Sequence, residues 1–252
     1  MECFLSLIPP LINKTIMKRH IILLILAISI SFSTVQAQTS TLTGAWEFSN
    51  GKDQHQLFFE DGYFIHTIHQ ADKFIMSRGG SYEASNGTIK AKVYFNSSDS
   101  SNVGGELNVP FEVSADKLSM DVPDGRVNFN RVDDGKAPLA GVWRITGRMQ
   151  EDGKVADIHQ TGSRQTYKLL TGKKFQWVAI DPEKKEFSGT GGGTYTFKDG
   201  KYTEQIEFFS RDNSRVGVSL VFDGKLQDGK WHHSGLSSKG AKIYEVWSKV
   251  DE

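Results

Sequence analysis

Apolar and polar positions along this chain alternate in runs of five to ten residues, rich in Phe, Tyr, Val, Ile and Thr. Short turn signals cut the runs apart. Asn50-Gly51, Asp61-Gly62, Asn86-Gly87, Asp124-Gly125, Asp152-Gly153, Asp199-Gly200, Asp223-Gly224 and Asp228-Gly229 each lie beside such a run. Asn, Asp and Gly tolerate the positive φ that tight hairpin turns require. Helix-length apolar periodicity is absent. The pattern predicts antiparallel strands joined by hairpins. They fall at 44–49, 54–60, 63–69, 79–84, 87–95, 104–113, 116–121 and 125–131, then at 142–147, 165–170, 174–180, 193–198, 201–210, 214–223, 229–236 and 241–249.

The two sets of strands are copies of each other. Leu42-Thr43-Gly44-Ala45-Trp46 returns as Leu139-Ala140-Gly141-Val142-Trp143, and Gly79-Gly80-Ser81-Tyr82 returns as Gly192-Gly193-Thr194-Tyr195. The tails Phe129-Asn130-Arg131-Val132-Asp133 and Trp247-Ser248-Lys249-Val250-Asp251 also correspond. Three landmarks in one order indicate a tandem duplication: residues 38–133, a linker over 134–138, and residues 139–252. Eight antiparallel strands in about 100 residues would leave two bare edges in an open sheet; closing each sheet into a barrel removes them. The short polar linker, preceded by Asp133, holds the two barrels close. The expected fold is all-β, two tandem eight-stranded antiparallel barrels after a signal peptide.

The signal peptide is read over residues 1–37. Basic Lys18-Arg19-His20 precedes an apolar run from Ile21 to Ile30, and small residues stand before Gln38. Met17 is the better start for such a leader. Cleavage behind Ala37 predicts a periplasmic or secreted protein with no membrane span. The single cysteine, Cys3, leaves with the leader, so the mature chain has no disulfide and no thiolate chemistry. Removing Lys14, Lys18, Arg19 and Glu2 from the 30 basic and 30 acidic residues leaves 27 and 29, a formal charge of −2. With no basic run, nucleic acid and anionic membranes are poor partners.

Gly-x-Trp on the first strand of each copy, with a basic residue near the end of the last, resembles the calycin superfamily of lipocalins and their relatives. The residues are Gly44, Trp46 and Arg131 in the first copy, and Gly141, Trp143 and Lys249 in the second. In that superfamily the Trp packs across one barrel end and the cation lies over its ring, so the resemblance implies calycin-like barrels. The second copy carries Phe187-Ser188-Gly189-Thr190-Gly191-Gly192-Gly193-Thr194-Tyr195 and Trp231-His232-His233-Ser234-Gly235-Leu236. It also resembles an uncharacterised family of secreted, lipocalin-like bacterial proteins, which implies the fold but supplies no catalytic residue.

The polar residues give few constellations. His232 and His233 are adjacent on a strand, so they face opposite ways and do not share one metal. One of them, with His159, Glu204 or Glu207, is a candidate for metal or haem. Glu204 and Glu207 also face apart and make a poor acid–base pair. Gly189-Thr190-Gly191-Gly192-Gly193 lacks the following helix that a phosphate loop needs and reads as a hairpin or bulge. Ser234, Ser237 and Ser238 have no nucleophile elbow around them. In Tyr202-Thr203-Glu204-Gln205-Ile206-Glu207-Phe208-Phe209 neither face is cleanly apolar. That fits a lumen tolerating polar groups or a wall strand with an interdomain face.

The leading expectation is a small apolar or amphipathic ligand bound chiefly in the second barrel. Gln176, Tyr195, Glu207, Arg215 and His233 are the pocket candidates, with no cofactor or metal assigned. The alternatives are an enzyme or haem/metal barrel built on a lumen His and Glu, and a structural or adaptor envelope protein with filled barrels.

Overall fold

The computed structural model describes residues 41–158, 161–237 and 240–250. The proposed leader, with Met17 and Cys3, lies outside these residues, as do His159 and Ser238. The first barrel comprises β1 (Gly44–Asn50), β2 (Asp53–Glu60), β3 (Tyr63–Gln70), β4 (Lys73–Ser85), β5 (Thr88–Asn96), β6 (Glu106–Val113), β7 (Lys117–Val122) and β8 (Gly125–Asp133). Each strand pairs antiparallel with the next, and β1 closes on β8. The second barrel comprises β9 (Gly141–Met149), β11 (Gln165–Leu170), β12 (Lys174–Asp181), β13 (Glu186–Lys198), β14 (Lys201–Phe209), β15 (Ser219–Gln227), β16 (Lys230–Leu236) and β17 (Lys242–Lys249), closed by β17 on β9. A short extra strand, β10 (Val155–Asp157), folds back onto the far end of β9.

The turn chemistry behaves as expected where both dipeptide residues are free to take positive φ. Asp61-Gly62, Asn86-Gly87, Asp199-Gly200 and Asp228-Gly229 all do so. Asp223-Gly224 does not turn; it lies inside β15, where the bare Gly224 lets the Phe197 ring lie against the strand. The long strands β4 and β13 start earlier than the alternation suggests, at Lys73 and Glu186. A 3-10 helix over Asn213–Arg215 and a turn occupy the start of the expected strand 214–223, so β15 begins only at Ser219.

Both double-glycine landmarks are bulges. The register of β4 on β5 shifts between Gly79 and Gly80, and that of β13 on β14 between Gly192 and Gly193. A Cβ on Gly80 would collide with the Lys92 carbonyl oxygen, and one on Gly193 with the Gln205 carbonyl oxygen. The strands bend here more closely than any side chain allows.

Each Trp of the Gly-x-Trp pair is buried at the closed end of its barrel. Trp46 Nε1 donates to the Leu42 carbonyl at 2.8 Å and Trp143 Nε1 to that of Leu139 at 2.9 Å. Arg131 lies over the Trp46 ring at 3.9 Å and Lys249 over the Trp143 ring at 5.5 Å. Each cation also donates to loop carbonyls, Arg131 to Thr43 and Thr41 and Lys249 to Ala140, which ties the end-plug to the last strand. Gly44 and Gly141 hold φ of +113° and +130° just ahead of these Trp residues.

The barrels pack directly against each other through β2–β5 and β11–β14. Ile65, Phe95, Val142, Leu169, Val178 and Ile180 form a buried cluster between them. Gln176, 1% exposed, is satisfied on all sides: it accepts from Thr67 and donates to Ser77 and Thr190. Near the closed ends Asp133 accepts from Thr171 Oγ1 and from the amides of Gly172 and Lys173, and Asp61 accepts from the Val142 amide. Near the open ends Phe95 stacks on Phe187 and Phe74 on Phe208. Contacts at both ends set the barrels side by side, with their openings to the same side.

The landmarks equate Phe95 with Phe208 and Phe74 with Phe187, so these two ring pairs exchange under a pseudo-twofold. Two corners of the interface break that symmetry. At one, Lys174 pairs with Glu47 at 2.6 Å and Glu207 at 2.8 Å, and Gln56 donates to Glu207. Burial works against the Lys174 charge, but Glu207 and Glu47 outweigh it and raise its pKa. At the other corner the equivalent positions are Arg144, Tyr63, Tyr94 and Tyr167, a packed tyrosine cluster.

Beside the linker, Glu60 is buried, and among the described residues its Oε1 has no hydrogen-bond partner. Burial, then Asp61 and Asp133, push its pKa up to about 9 against the pull of Lys249. A carboxyl raised in the folded state stabilises fully below its unfolded pKa and loses that contribution as pH climbs through the folded one. The protein is therefore expected to weaken between pH ~4.5 and about 9. Glu60→Gln should flatten this slope and gain on the order of 4 kcal/mol at pH 8. Urea unfolding midpoints of both proteins across that range provide the check.

Candidate functional site: a charged core in the second barrel

Cross-strand register fixes which side chains enter the second lumen. Trp143 lies opposite Lys168, Lys168 opposite Trp177, Tyr195 opposite Glu204, and Tyr202 opposite Phe222. Trp231 lies opposite Trp247, and His233 opposite Glu245. The closed half is filled with aromatics: Phe175, Tyr202 and Trp231 are fully buried, and Trp143, Trp247 and Tyr195 nearly so. Toward the opening stand half-buried Trp177, Phe209, Leu220 and Ile243, joined by Ile158 from the segment after β10.

Between these layers sit four charged or titratable side chains, each under a tenth exposed: Lys168, Glu204, His233 and Glu245. Lys168 Nζ pairs with Glu204 Oε1 at 2.8 Å. The same ammonium lies 5.2–5.6 Å from the ring centroids of Phe175, Tyr202, Trp231 and Trp247. Aromatic faces are negative, so this cage favours the cation after it has left water. His233 Nδ1 faces Glu245 Oε2 at 3.5 Å, and Glu245 Oε1 accepts from Arg148 at 2.8 Å. Burial, helped by Lys168, lowers the His233 pKa although Glu245 pulls the other way, so the ring is neutral at physiological pH. Burial also opposes the Glu245 charge, but His233, Lys168 and Arg148 outweigh it and bring that pKa down to about 2. The two carboxylates are thus balanced by Lys168 and Arg148. Among the described residues His233 Nε2 and Trp231 Nε1 have no hydrogen-bond partner, and the Tyr202 hydroxyl lies beside Glu204 without completing a bond to it.

The first barrel is an internal control. The same registers, counted from Trp46 and Gly80, equate Lys168 with Leu57, Glu204 with Ala91, His233 with Met120 and Glu245 with Val127. All four are apolar. The fold therefore closes its core without charge, and desolvating the Lys168–Glu204 pair and the Glu245 carboxylate adds nothing that packing requires.

Of the five pocket candidates from sequence, His233 alone joins this cluster. Tyr195 is in the lumen at the closed end, its hydroxyl donating to the Thr171 carbonyl. Gln176 and Glu207 leave the lumen for the inter-barrel face described above. Arg215 ends the short 3-10 helix Asn213–Arg215 and pairs with Asp212 at 3.0 Å. Sequence reasoning mentioned Glu204 but missed Lys168 and Glu245. The mixed strand β14 is resolved by its two neighbours: Tyr202, Glu204 and Ile206 enter the lumen, while Glu207 and Phe208 face the first barrel. His232 points out of the lumen and meets the Tyr244 hydroxyl at 2.8 Å. Among the described residues no group of three His, Cys, Asp or Glu side chains converges on a metal position.

Residues 138–252 match a family model described as "Domain of unknown function (DUF4488)". No curated protein matches the chain. Among solved structures, a lipocalin-like protein from Bacteroides uniformis ATCC 8492 is similar at 14% identity, over 45% of this chain and 100% of that one, with a TM-score of 0.31. The strand order, closure and plugged ends described above make this chain a tandem of two calycin-like, eight-stranded antiparallel barrels.

Proposed function

We propose that the protein is exported to the periplasm or cell exterior and binds a small amphipathic molecule through the second barrel. The ligand's apolar part lies among Trp177, Phe209, Leu220 and Ile243 at the opening. Its polar end reaches the layer of Lys168, Glu204, His233 and Glu245. The observation that carries this reading is the internal comparison: four buried charged or titratable groups stand where the sister barrel uses Leu57, Ala91, Met120 and Val127. Unpartnered polar atoms in the same layer favour a ligand with hydrogen-bonding groups of its own, because each such atom costs about 1–3 kcal/mol when left unpaired.

The test is native mass spectrometry of residues 38–252 recovered from a secreting host, alongside a Lys168→Met, Glu204→Gln double variant. An added mass on the wild type that is absent from the variant supports the proposal and identifies the cargo. A bare mass for both, with core tryptophan fluorescence unmoved by extracts of the native host, overturns it. N-terminal sequencing of the exported form tests cleavage behind Ala37.

A further inference from the structure

The opening of the first barrel holds a second polar group, chemically unlike the one above. Register places Phe48 opposite His55, His55 opposite Ile68, and His66 opposite Arg78, all on the lumen face. His55 Nδ1 and His66 Nε2 are 3.2 Å apart. Phe48 stacks on His55 with centroids 4.1 Å apart, and Phe129 presents its edge to Phe48 and His66. His55, His66 and Arg78 are all half-buried, so the group is reachable from the opening. Among the described residues the Arg78 guanidinium makes no hydrogen bond and no ion pair. Desolvation alone lowers its pKa, with no carboxylate to offset it. Burial, Arg78 and His55 push the His66 pKa down to about 3, and Asp53 is the one acid that acts on His55. The equivalent positions in the second barrel are Thr166, Trp177 and Gly191, so this basic group is not required by the fold.

We propose that the first barrel binds a small organic carboxylate at its mouth. The planar Arg78 fork receives the carboxylate, a ring N–H of the His55–His66 pair adds a donor, and Phe48 and Phe129 flank the ligand's apolar body. A guanidinium beside two neutral imidazoles offers one positive charge, which matches one carboxylate and not a doubly charged phosphate. This site is independent of the charged core in the second barrel.

The test titrates the mature chain with sodium hexanoate while following the ring signals of His55 and His66 by NMR. The expected result is saturable movement of both signals, with binding at least about tenfold weaker in Arg78→Gln. Arg126→Gln, the same charge change on the outer wall, should bind as the wild type does. His66→Gln gives a second variant if Arg78→Gln does not fold, and should also weaken binding. Signals that stay still in the wild type overturn the site. Inorganic phosphate binding more tightly than hexanoate overturns the assignment to a carboxylate, and equal loss in Arg126→Gln overturns the role of Arg78.

Discussion

Lys168→Met should destabilise the protein by about 3–5 kcal/mol, the cost of leaving one partner of a buried ion pair alone. The methionine matches the lysine stem in length and keeps the packing against Phe175 and Trp231, so the loss arises from the Glu204 carboxylate left without a cation. Adding Glu204→Gln to the same chain should recover most of it, because the remaining side chains no longer carry a buried charge. Urea denaturation of the wild type, the two single variants and the double variant forms a thermodynamic cycle. A double variant as unstable as Lys168→Met would mean that the four-ring cage, not the ion pair, holds this layer. Recovery with loss of the bound mass would separate the charges' binding role from their structural one.

The second large effect concerns the contact between the barrels. Expressed together as separate chains, residues 38–136 and 137–252 should purify as a one-to-one complex. The buried patch around Ile65, Phe95, Val178 and Ile180, the Gln176 hydrogen bonds and the Asp133 contacts do not depend on chain connection. Each half alone should pair with itself far less well. A dimer of the second barrel would bring Lys174 against Arg144, two cations with no Glu47 between them. A dimer of the first would set Glu47 against Tyr63, with the lysine missing. Like charges meeting at a contact are a common way of excluding wrong partners. Analytical ultracentrifugation of each half and of the mixture decides it: a self-paired second half as tight as the mixed complex would remove Lys174 from any part in partner choice.

The strand plan was largely legible, because Asn-Gly and Asp-Gly turns and the repeated landmarks announce hairpins directly. The misses have local causes. Lys73 to Arg78 and Glu186 to Gly192 read as loop because glycine, serine and charge interrupt the alternation, yet these residues build the bulged wall that joins the barrels. The site was less legible because alternation tells that two faces differ, not which one is the lumen. In Thr166-Tyr167-Lys168-Leu169-Leu170, Tyr167 and Leu169 look like the core face. They do face a core, the one between the barrels, and so Lys168 turns inward. Beyond Ile206 alternation alone turns Glu207 outward; the bulge at Gly193 then shifts the parity, which keeps Phe208 outward as well and returns Phe209 to the lumen. The signal that reaches the site from sequence is the comparison of the two copies, position by position: where one carries Leu57 and Ala91, the other carries Lys168 and Glu204.

The pseudo-twofold packing has a consequence for how such a protein can change. In a pair of identical chains every substitution appears twice, on both sides of the axis, so an innovation in one half is imposed on the other. With both halves in one gene, a single substitution alters one half only. Lys174 meets Glu47 with no second lysine across the axis. One interior carries charge where the other is apolar, and one entrance carries an arginine and two histidines that the other lacks. Copies joined in one chain can stay partners without being alike.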